Sequence, residues 1–203
     1  MPRAEPYHHG DLRAALIRAG REILAAEGLA GLTLRAAARR AGVSHAAPYR
    51  HFPDGEALLA AIAAEGFGEL RAALVAPDAR GRGEDALVAM AAAYVGFALD
   101  HPAMYRLMFG PAIPSKHRHG DLAAAGAAAY RPLADAVAER VGPRRGAPGV
   151  RALTIGAWSV VHGLAHLLVE GQIAEGAETR NPRALARAAA QRYAAGLDAL
   201  AKE

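Results

Sequence analysis

The stretch TLRAAARRAGVSHAAPYRHF, residues 33–52, decides how this chain begins to fold. Thr33 stands where a helix N-cap belongs, and the alanine-rich run after it favours a helix, because alanine loses no side-chain entropy on entering one. Gly42 can end that helix. Ser44 is then placed to cap a second helix of about two turns that runs through Phe52. The stretch therefore predicts two short helices joined by a tight turn.

A third helix is predicted immediately upstream. Apolar residues recur with helical spacing from Asp11 to Glu27, and Gly28 can end this helix. The last two helices of the resulting three-helix unit match a helix-turn-helix, in which the second helix enters the DNA major groove. Pro48 is compatible with that role, because as the fourth helical residue it removes only the first intrahelical hydrogen bond.

The excess basic charge lies in the same segment. The chain of 203 residues has a formal net charge of +4 at pH 7. Residues 1–52 hold eight arginines against four acidic residues, whereas residues 53–203 hold sixteen basic and sixteen acidic side chains. Basic charge confined to one small segment predicts a polyanionic partner for that segment.

The rest of the chain also predicts helices and no strands. Hydrophobic residues make up 53 % of the sequence, and much of that fraction is alanine. Their spacing predicts six further helices, at 54–75, 84–100, 102–109, 120–141, 149–172 and 181–201. We therefore expect an all-α fold of about nine helices, with a three-helix head at 1–53 and a larger body at 54–203.

Composition disfavours several classes of protein. The absence of cysteine leaves no disulfide framework and no thiolate metal site. The N-terminus lacks the pattern of a secretory signal. The apolar run 152–169 is long enough to suggest a membrane span, but its two histidines and the adjacent Arg151 favour a buried helix. We expect a soluble, cytoplasmic protein with no membrane partner.

Two stretches of the chain resemble one known family. The sequence LTLRAAARRAGVSHAAPYRHFPDGEALLAAI (32–62) closely resembles the DNA-binding region of tetracycline-repressor-type (TetR) regulators, and YRHF ahead of EALL is its most specific part. WSVVHG (158–163) is similar to the motif of the WHG type of C-terminal domain in that family. The resemblance implies an all-helical homodimer whose body dimerises and binds an effector. Members usually repress transcription and release a double-stranded DNA operator when a small molecule binds.

The resemblance and the chemistry of the side chains together predict the residues that contact DNA. Nine are expected: Thr33, Arg35, Ser44, His45, Ala46, Ala47, Tyr49, Arg50 and His51. Of these, the resemblance implies base contacts for His45, Ala46 and Ala47. One position departs from the family pattern, because members carry a phosphate-gripping lysine just before EALL and this chain has Gly55. The exposed backbone N–H groups of that helix start can still bind phosphate.

Large side chains in the body predict an apolar effector pocket with few polar groups. We expect effector contacts from six residues: Tyr94, Phe97, Tyr105, Met108, Trp158 and His162. His162 and His166 lie four residues apart, on one helix face, but two imidazoles without a third ligand do not make a metal site. No metal or other cofactor is therefore predicted, and His162 is either a satisfied core histidine or a polar contact for the effector.

Two apolar stripes at the end of the chain predict a dimer interface. They comprise Val161, Ala165 and Leu168 beside Trp158, and Leu185, Ala189, Tyr193 and Leu197. Paired with their symmetry mates, the two helices would form a four-helix bundle that places two recognition helices about 34 Å apart, one turn of DNA. The alternative is that the stripes face only their own chain.

Two other functions compete with the regulator. One is a small helical enzyme that uses His162 and His166 on a metal, although no nucleophile–base constellation or phosphate-binding loop accompanies them. The other is an architectural DNA binder without an effector, which predicts binding that is independent of sequence and steeply dependent on salt. We expect a non-enzymatic regulator.

Overall fold

The computed structural model describes residues 9–76, 85–143, 146–173, 176 and 178–201. Within these ranges the chain forms eight α-helices and no strand: α1 His9–Gly31, α2 Leu34–Arg40, α3 Gly55–Val75, α4 Ala86–Asp100, α5 Pro102–Phe109, α6 Gly120–Val141, α7 Gly146–Val169 and α8 Pro182–Ala201. The expected all-α fold is confirmed, with one α-helix fewer than the nine that the spacing predicts.

The missing helix is the one expected at 44–52. The chain there forms a 3₁₀ helix, Ala47–Arg50, which no side chain caps, so the expectation that Ser44 is a helix N-cap is wrong. Pro48 supplies the reason, because it has no N–H to donate to the carbonyl of Ser44. That carbonyl instead accepts a bond from the N–H of Ala47 at 3.1 Å, the tighter spacing of a 3₁₀ turn.

The helix before this turn begins and ends where the sequence predicts. The hydroxyl of Thr33 accepts a hydrogen bond from the backbone N–H of Ala36 at 3.1 Å, so Thr33 caps α2. Gly42 follows α2 with a φ of 71°, the left-handed conformation that glycine adopts without strain. The N–H of Val43 then donates to the carbonyl of Ala38 at 3.0 Å, which completes a Schellman motif.

Carboxylate and amide caps set the starts of three later helices. Asp54, Asp85 and Asn181 each accept a hydrogen bond from a backbone N–H two or three residues further on. Such caps satisfy N–H groups that have no partner within the helix. They account for the starts of α3, α4 and α8.

The chain forms two compact units. One contains the described residues of Met1–Gly66 and Ala103–Ala124, and the other those of Phe67–Pro102 and Ala125–Glu203. The helix α3 contributes residues to both units. The functional division expected at residue 53 stays a prediction.

The first unit has a core of large apolar side chains that come from α1, α3, α5 and the turns. The most buried are Leu16, Ile23, Leu24, Phe52, Leu58, Ile62, Tyr105, Leu107, Met108 and Ile113. Gly66 lies so close to Met104 and Met108 that a Cβ there would meet both sulfur atoms at less than 3 Å. The helix α5 therefore packs closely on α3 within this unit.

The second unit is built around α4, which is buried over most of its length and packs against α7 and α8. A cluster at one end of this unit comprises Leu87, Val137, Val141, Ala194 and Leu197. Arg140 forms ion pairs with both Asp85 and Asp198 and thereby connects α4, α6 and α8. These two carboxylates raise the pKa of the Arg140 guanidinium above its already high usual value.

The helix α7 is apolar but little buried. Thr154 and Ala165 are its buried residues among those that the structure describes. The expectation of a buried helix is therefore wrong for the single chain, because only one side of α7 packs on its neighbours. By length and composition alone, α7 could also cross a membrane.

Candidate functional site

The helix-turn-helix surface presents the side chains that the sequence predicts for DNA contact. Seven of the nine are exposed: Thr33, Arg35, Ser44, His45, Ala46, Tyr49 and Arg50. Ala47 and His51 are half-buried. Pro48 and Phe52 are buried, and these two residues fix the 3₁₀ turn on the core while Tyr49 and Arg50 between them are exposed. Exposure is what direct contact with DNA requires.

Ion pairs separate the arginines of this segment into two groups. Arg40 pairs with Glu22 at 3.4 Å and Glu27 at 3.1 Å, and Arg21 pairs with Glu65 at 3.0 Å. In contrast, the guanidinium groups of Arg35, Arg39 and Arg50 form no ion pair with any residue that the structure describes. The unpaired arginines are the cations that can neutralise phosphate without first breaking a bond.

Arg39 is a cation of this surface that nothing in the sequence distinguishes from its neighbour Arg40. Both are exposed and end the same helix. Arg39 lies four residues after Arg35 and therefore shares its face of α2. The acidic partners of Arg40 lie on α1, so only the folded structure distinguishes the two arginines.

The start of α3 is acidic. Asp54 accepts a bond from the N–H of Ala57 at 2.8 Å, and Glu56 stands in the first turn. One of the backbone N–H groups that were expected to bind a phosphate therefore already donates a hydrogen bond to the carboxylate of Asp54. Gly55 has no side chain that could bind a phosphate in place of this N–H group.

An aromatic and polar cluster joins α4 to α7 within the second unit. The hydroxyl of Tyr94 lies 2.8 Å from Nδ1 of His162, and the indole N–H of Trp158 donates to the same hydroxyl at 3.5 Å. The rings of Trp158 and His162 are 5.4 Å apart, and Tyr130 packs edge-on to Trp158 at 6.2 Å. Tyr130 was missed by the sequence interpretation, because its spacing fits an ordinary core position.

The environment of His162 favours its neutral form. Burial lowers the pKa of its imidazole, and the nearby His166 lowers it further. A neutral imidazole offers one donor and one acceptor nitrogen, which suits a polar contact with an uncharged ligand.

The six residues expected to contact an effector are divided between the two units. Phe97 is in the same unit as Tyr94, buried and with its ring 5.2 Å from that of His101. Tyr105 and Met108 belong to the other unit, where both are almost fully buried. The side chains that the structure brings together are Tyr94, Trp158 and His162.

The residues expected at a dimer interface differ in accessibility. Ala165 and Leu197 are buried inside their own chain, and Tyr193 donates a hydrogen bond to the carbonyl of Leu153 at 2.7 Å. Val161, Leu168, Leu185 and Ala189 are partly exposed. Ile155, Val160 and Leu167, which the stripes did not include, are the large apolar side chains that α7 exposes most.

No group of three or more metal-ligating side chains occurs among the residues that the structure describes. His162 is already hydrogen-bonded to Tyr94, and His166 is exposed. The pair on its own does not make a metal site.

Comparisons with known proteins assign the family. Residues 16–62 match the family model described as bacterial regulatory proteins, tetR family, and residues 87–197 match the tetracyclin repressor-like C-terminal domain. A curated relative, the HTH-type transcriptional regulator Rv1816 of Mycobacterium tuberculosis, is 30 % identical over 117 residues, which cover 54 % of this chain and 48 % of the relative. The chain thus spans about half the length of this relative.

Solved structures match over nearly the whole chain. A protein of unknown function from Rhodococcus sp. RHA1 is 35 % identical, with a TM-score of 0.74, and the match covers 96 % of this chain and 100 % of that one. The putative regulatory protein SCO4313 is 25 % identical, with a TM-score of 0.70 over 93 % of this chain and 98 % of that one. The chain belongs to the TetR family of transcriptional regulators.

Proposed function

We propose that the protein is a ligand-responsive repressor that binds a palindromic operator as a homodimer and leaves it when a small, largely apolar effector binds. The observation that carries this proposal is the exposed surface around the 3₁₀ turn. His45 and Tyr49 project from it without a partner among the described residues, and Arg35 and Arg50 supply unpaired positive charge. Such a surface suits base and phosphate contacts.

The exposed apolar side of α7 supports the dimer. Ile155, Val160 and Leu167 expose 43 %, 38 % and 39 % of their surface. Several large apolar side chains on one exposed helix are typical of an interaction site rather than a solvated surface. A two-fold partner would bury them against the equivalent helix, and it would also present two recognition segments to DNA.

The cluster of Tyr94, Trp158 and His162 supports the effector. It combines aromatic surface with a small number of polar atoms, the usual composition of a small-molecule site. An effector can release DNA only by binding better to a conformation whose recognition segments are wrongly spaced. The helix α3 is the candidate connection, because it begins directly after the recognition turn and continues into the second unit.

Selection from a pool of random duplexes tests the DNA-binding part of the proposal. The full chain should enrich an inverted repeat whose half-site centres are separated by about 34 Å or a multiple of it. Enrichment of no sequence, with all duplexes retained equally and lost together as salt is raised, would indicate an architectural binder instead.

Tryptophan fluorescence tests the effector part. Trp158 is the one tryptophan in the sequence, so its emission reports on this cluster alone. A library compound that saturably changes the emission should also release the selected operator. Compounds that change the emission but never affect DNA binding would count against an effector role for the cluster.

A further inference from the structure

A loop between α5 and α6 is tied to the start of α3 within the first unit. The carboxylate of Glu56 accepts a hydrogen bond from the backbone N–H of Ser115 at 3.1 Å. The same oxygen lies 3.1 Å from Nε2 of His119. Both partners flank the 3₁₀ helix Lys116–Arg118, so one carboxylate holds the two ends of this short element.

Other contacts hold the same loop on the unit that carries the helix-turn-helix. The ammonium group of Lys116 donates to the carbonyl of Met108 at 3.0 Å, and Ile113 is almost fully buried. Arg13 pairs with Asp121 at 3.7 Å while its guanidinium lies 5.6 Å from the centre of the Phe52 ring. The loop is therefore held in one position against the head.

The 3₁₀ helix Lys116–Arg118 presents positive charge. His117 and Arg118 are exposed, and neither side chain has a partner among the residues that the structure describes. Glu56, which holds both ends of this element, follows Arg50 by six residues in the chain. The basic tip, His117 and Arg118, therefore lies beside the first turn of α3, the helix that follows the recognition turn.

We propose that Lys116–Arg118 is a second phosphate-binding element of the head, in which Arg118 contacts the backbone of the same operator that Ala47–Arg50 reads. This inference rests on the proposed function, because it requires operator binding by the helix-turn-helix. Asp54 and Glu56 make the first turn of α3 repulsive to phosphate. Glu56 offsets this by holding a basic tip beside that turn, so it acts as a positioning residue for Arg118.

The variant Arg118→Ala tests the contact. We expect affinity for the selected operator to fall by roughly threefold to thirtyfold and the slope of log K against log salt to become shallower by about one unit for each bound protomer. Because phosphate contacts carry no sequence information, affinity for scrambled DNA should fall by a similar factor. Arg131→Ala is the matched control, since Arg131 is also exposed and without a partner among the described residues but lies in the other unit.

A double-mutant cycle tests the positioning by Glu56. In a Glu56→Gln background, which removes the charge but keeps the size of the side chain, Arg118→Ala should cost less than half of what it costs in the wild-type chain. Thermal unfolding of each variant shows whether the fold survives. An equal cost in both backgrounds would overturn the positioning role.

The outcomes separate this inference from the proposed function. Sequence-selective binding by the wild-type protein together with an Arg118→Ala variant that matches it in affinity and salt slope would overturn the inference and leave the proposed function standing. Binding by the wild-type protein without any sequence preference would overturn the proposed function and the inference with it. Equal losses in Arg118→Ala and Arg131→Ala would show that net charge, not a contact, is responsible, and would also overturn the inference.

Discussion

The exposure of Tyr49 distinguishes a role in packing from a role in DNA binding. Its side chain is 53 % exposed, the largest value among the exposed large apolar and aromatic residues of the described chain. Its hydroxyl has no hydrogen-bond partner among the residues that the structure describes. The structure therefore leaves the hydroxyl available for a phosphate oxygen.

The variant Tyr49→Phe should weaken operator binding by roughly threefold to tenfold, since one hydrogen bond to a charged oxygen is lost. Its melting temperature should equal that of the wild-type protein, because phenylalanine keeps the ring and removes only the hydroxyl of a side chain that is 53 % exposed. Fluorescence anisotropy with labelled operator and a thermal melt measure the two quantities. An unchanged affinity would show that the Tyr49 hydroxyl makes no contact with the operator.

His162 gives the protein a predictable dependence of stability on pH. Burial lowers the pKa of its imidazole in the folded chain below the ordinary value of 6.5. As the pH falls below about 6.5, the unfolded chain takes up a proton that the folded chain resists, so stability decreases. The contribution of His162 is therefore present above this pH and is lost below it.

A comparison of the His162→Asn variant with the wild-type protein tests this dependence of stability on pH. The fall in melting temperature between about pH 7.5 and about pH 5.5 should be smaller in the variant, because asparagine does not titrate. An identical pH dependence in the two proteins would contradict the assignment to His162.

Sequence reasoning at this scale identified residue types but not their partners. Arg39 and Arg40 look alike in the sequence. Only the position of α1 shows that Arg40 is paired, while the side chain of Arg39 has no partner among the residues that the structure describes. His119 lies in a segment that resembles a solvated basic loop, and its contact with Glu56 joins residues 63 positions apart. Contacts of that range depend on the tertiary fold.

At the scale of elements, the turn between α2 and the 3₁₀ helix depends on the positive φ of Gly42. A Cβ at this position would meet no atom within 4 Å, so the penalty of a side chain is one of backbone conformation alone. Gly55, at the start of α3, is equally open but has no positive φ. Alanine substitutions at the two glycines can therefore be compared directly, because the positions differ in backbone conformation but not in the space for a side chain.

The variant Gly42→Ala should lower the free energy of unfolding by about 1–2 kcal/mol, the cost of a left-handed alanine. Gly55→Ala should leave that free energy unchanged or slightly higher, because alanine favours the helix and loses less chain entropy on folding. Urea denaturation measures both. Equal effects of the two substitutions would show that the left-handed turn does not persist in solution.

The helix bounds were largely predictable, since caps and glycines are local signals. Thr33 caps α2, as the sequence predicts, and Asn181 caps α8 at the start of the helix that the spacing predicts at 181–201. The segment 44–52 was not predictable in detail, because helix spacing and cap chemistry both favoured an α-helix there. Loss of the Pro48 N–H removes one of the few bonds that so short a helix could form, and the 3₁₀ turn replaces it.

At the scale of the whole molecule, the proposed dimer depends on the exposed side of α7. Sequence periodicity located apolar stripes but could not tell intrachain from interchain burial, because both produce the same pattern. Ala165 and Leu197 are covered by their own chain, whereas Val160 is exposed. Substitutions that test the proposed dimer should therefore be made at exposed residues of α7 such as Val160.

The variant Val160→Glu should weaken dimerisation by at least about a hundredfold, because each interface would bury two unpaired carboxylates. Ala72→Glu introduces the same charge at an exposed position of α3 and should leave the dimer intact. Sedimentation velocity over a range of protein concentrations distinguishes the two. A Val160→Glu protein that remains as dimeric as the wild type would place the interface elsewhere.

The most direct test of the central claim is a titration of the full chain against the selected operator and against scrambled DNA of equal length, at two salt concentrations. We expect a preference for the operator of about a thousandfold or more that persists at the higher salt, because base contacts specify the sequence while phosphate contacts only position the protein. Equal affinity for the two duplexes, lost together as salt rises, would contradict it.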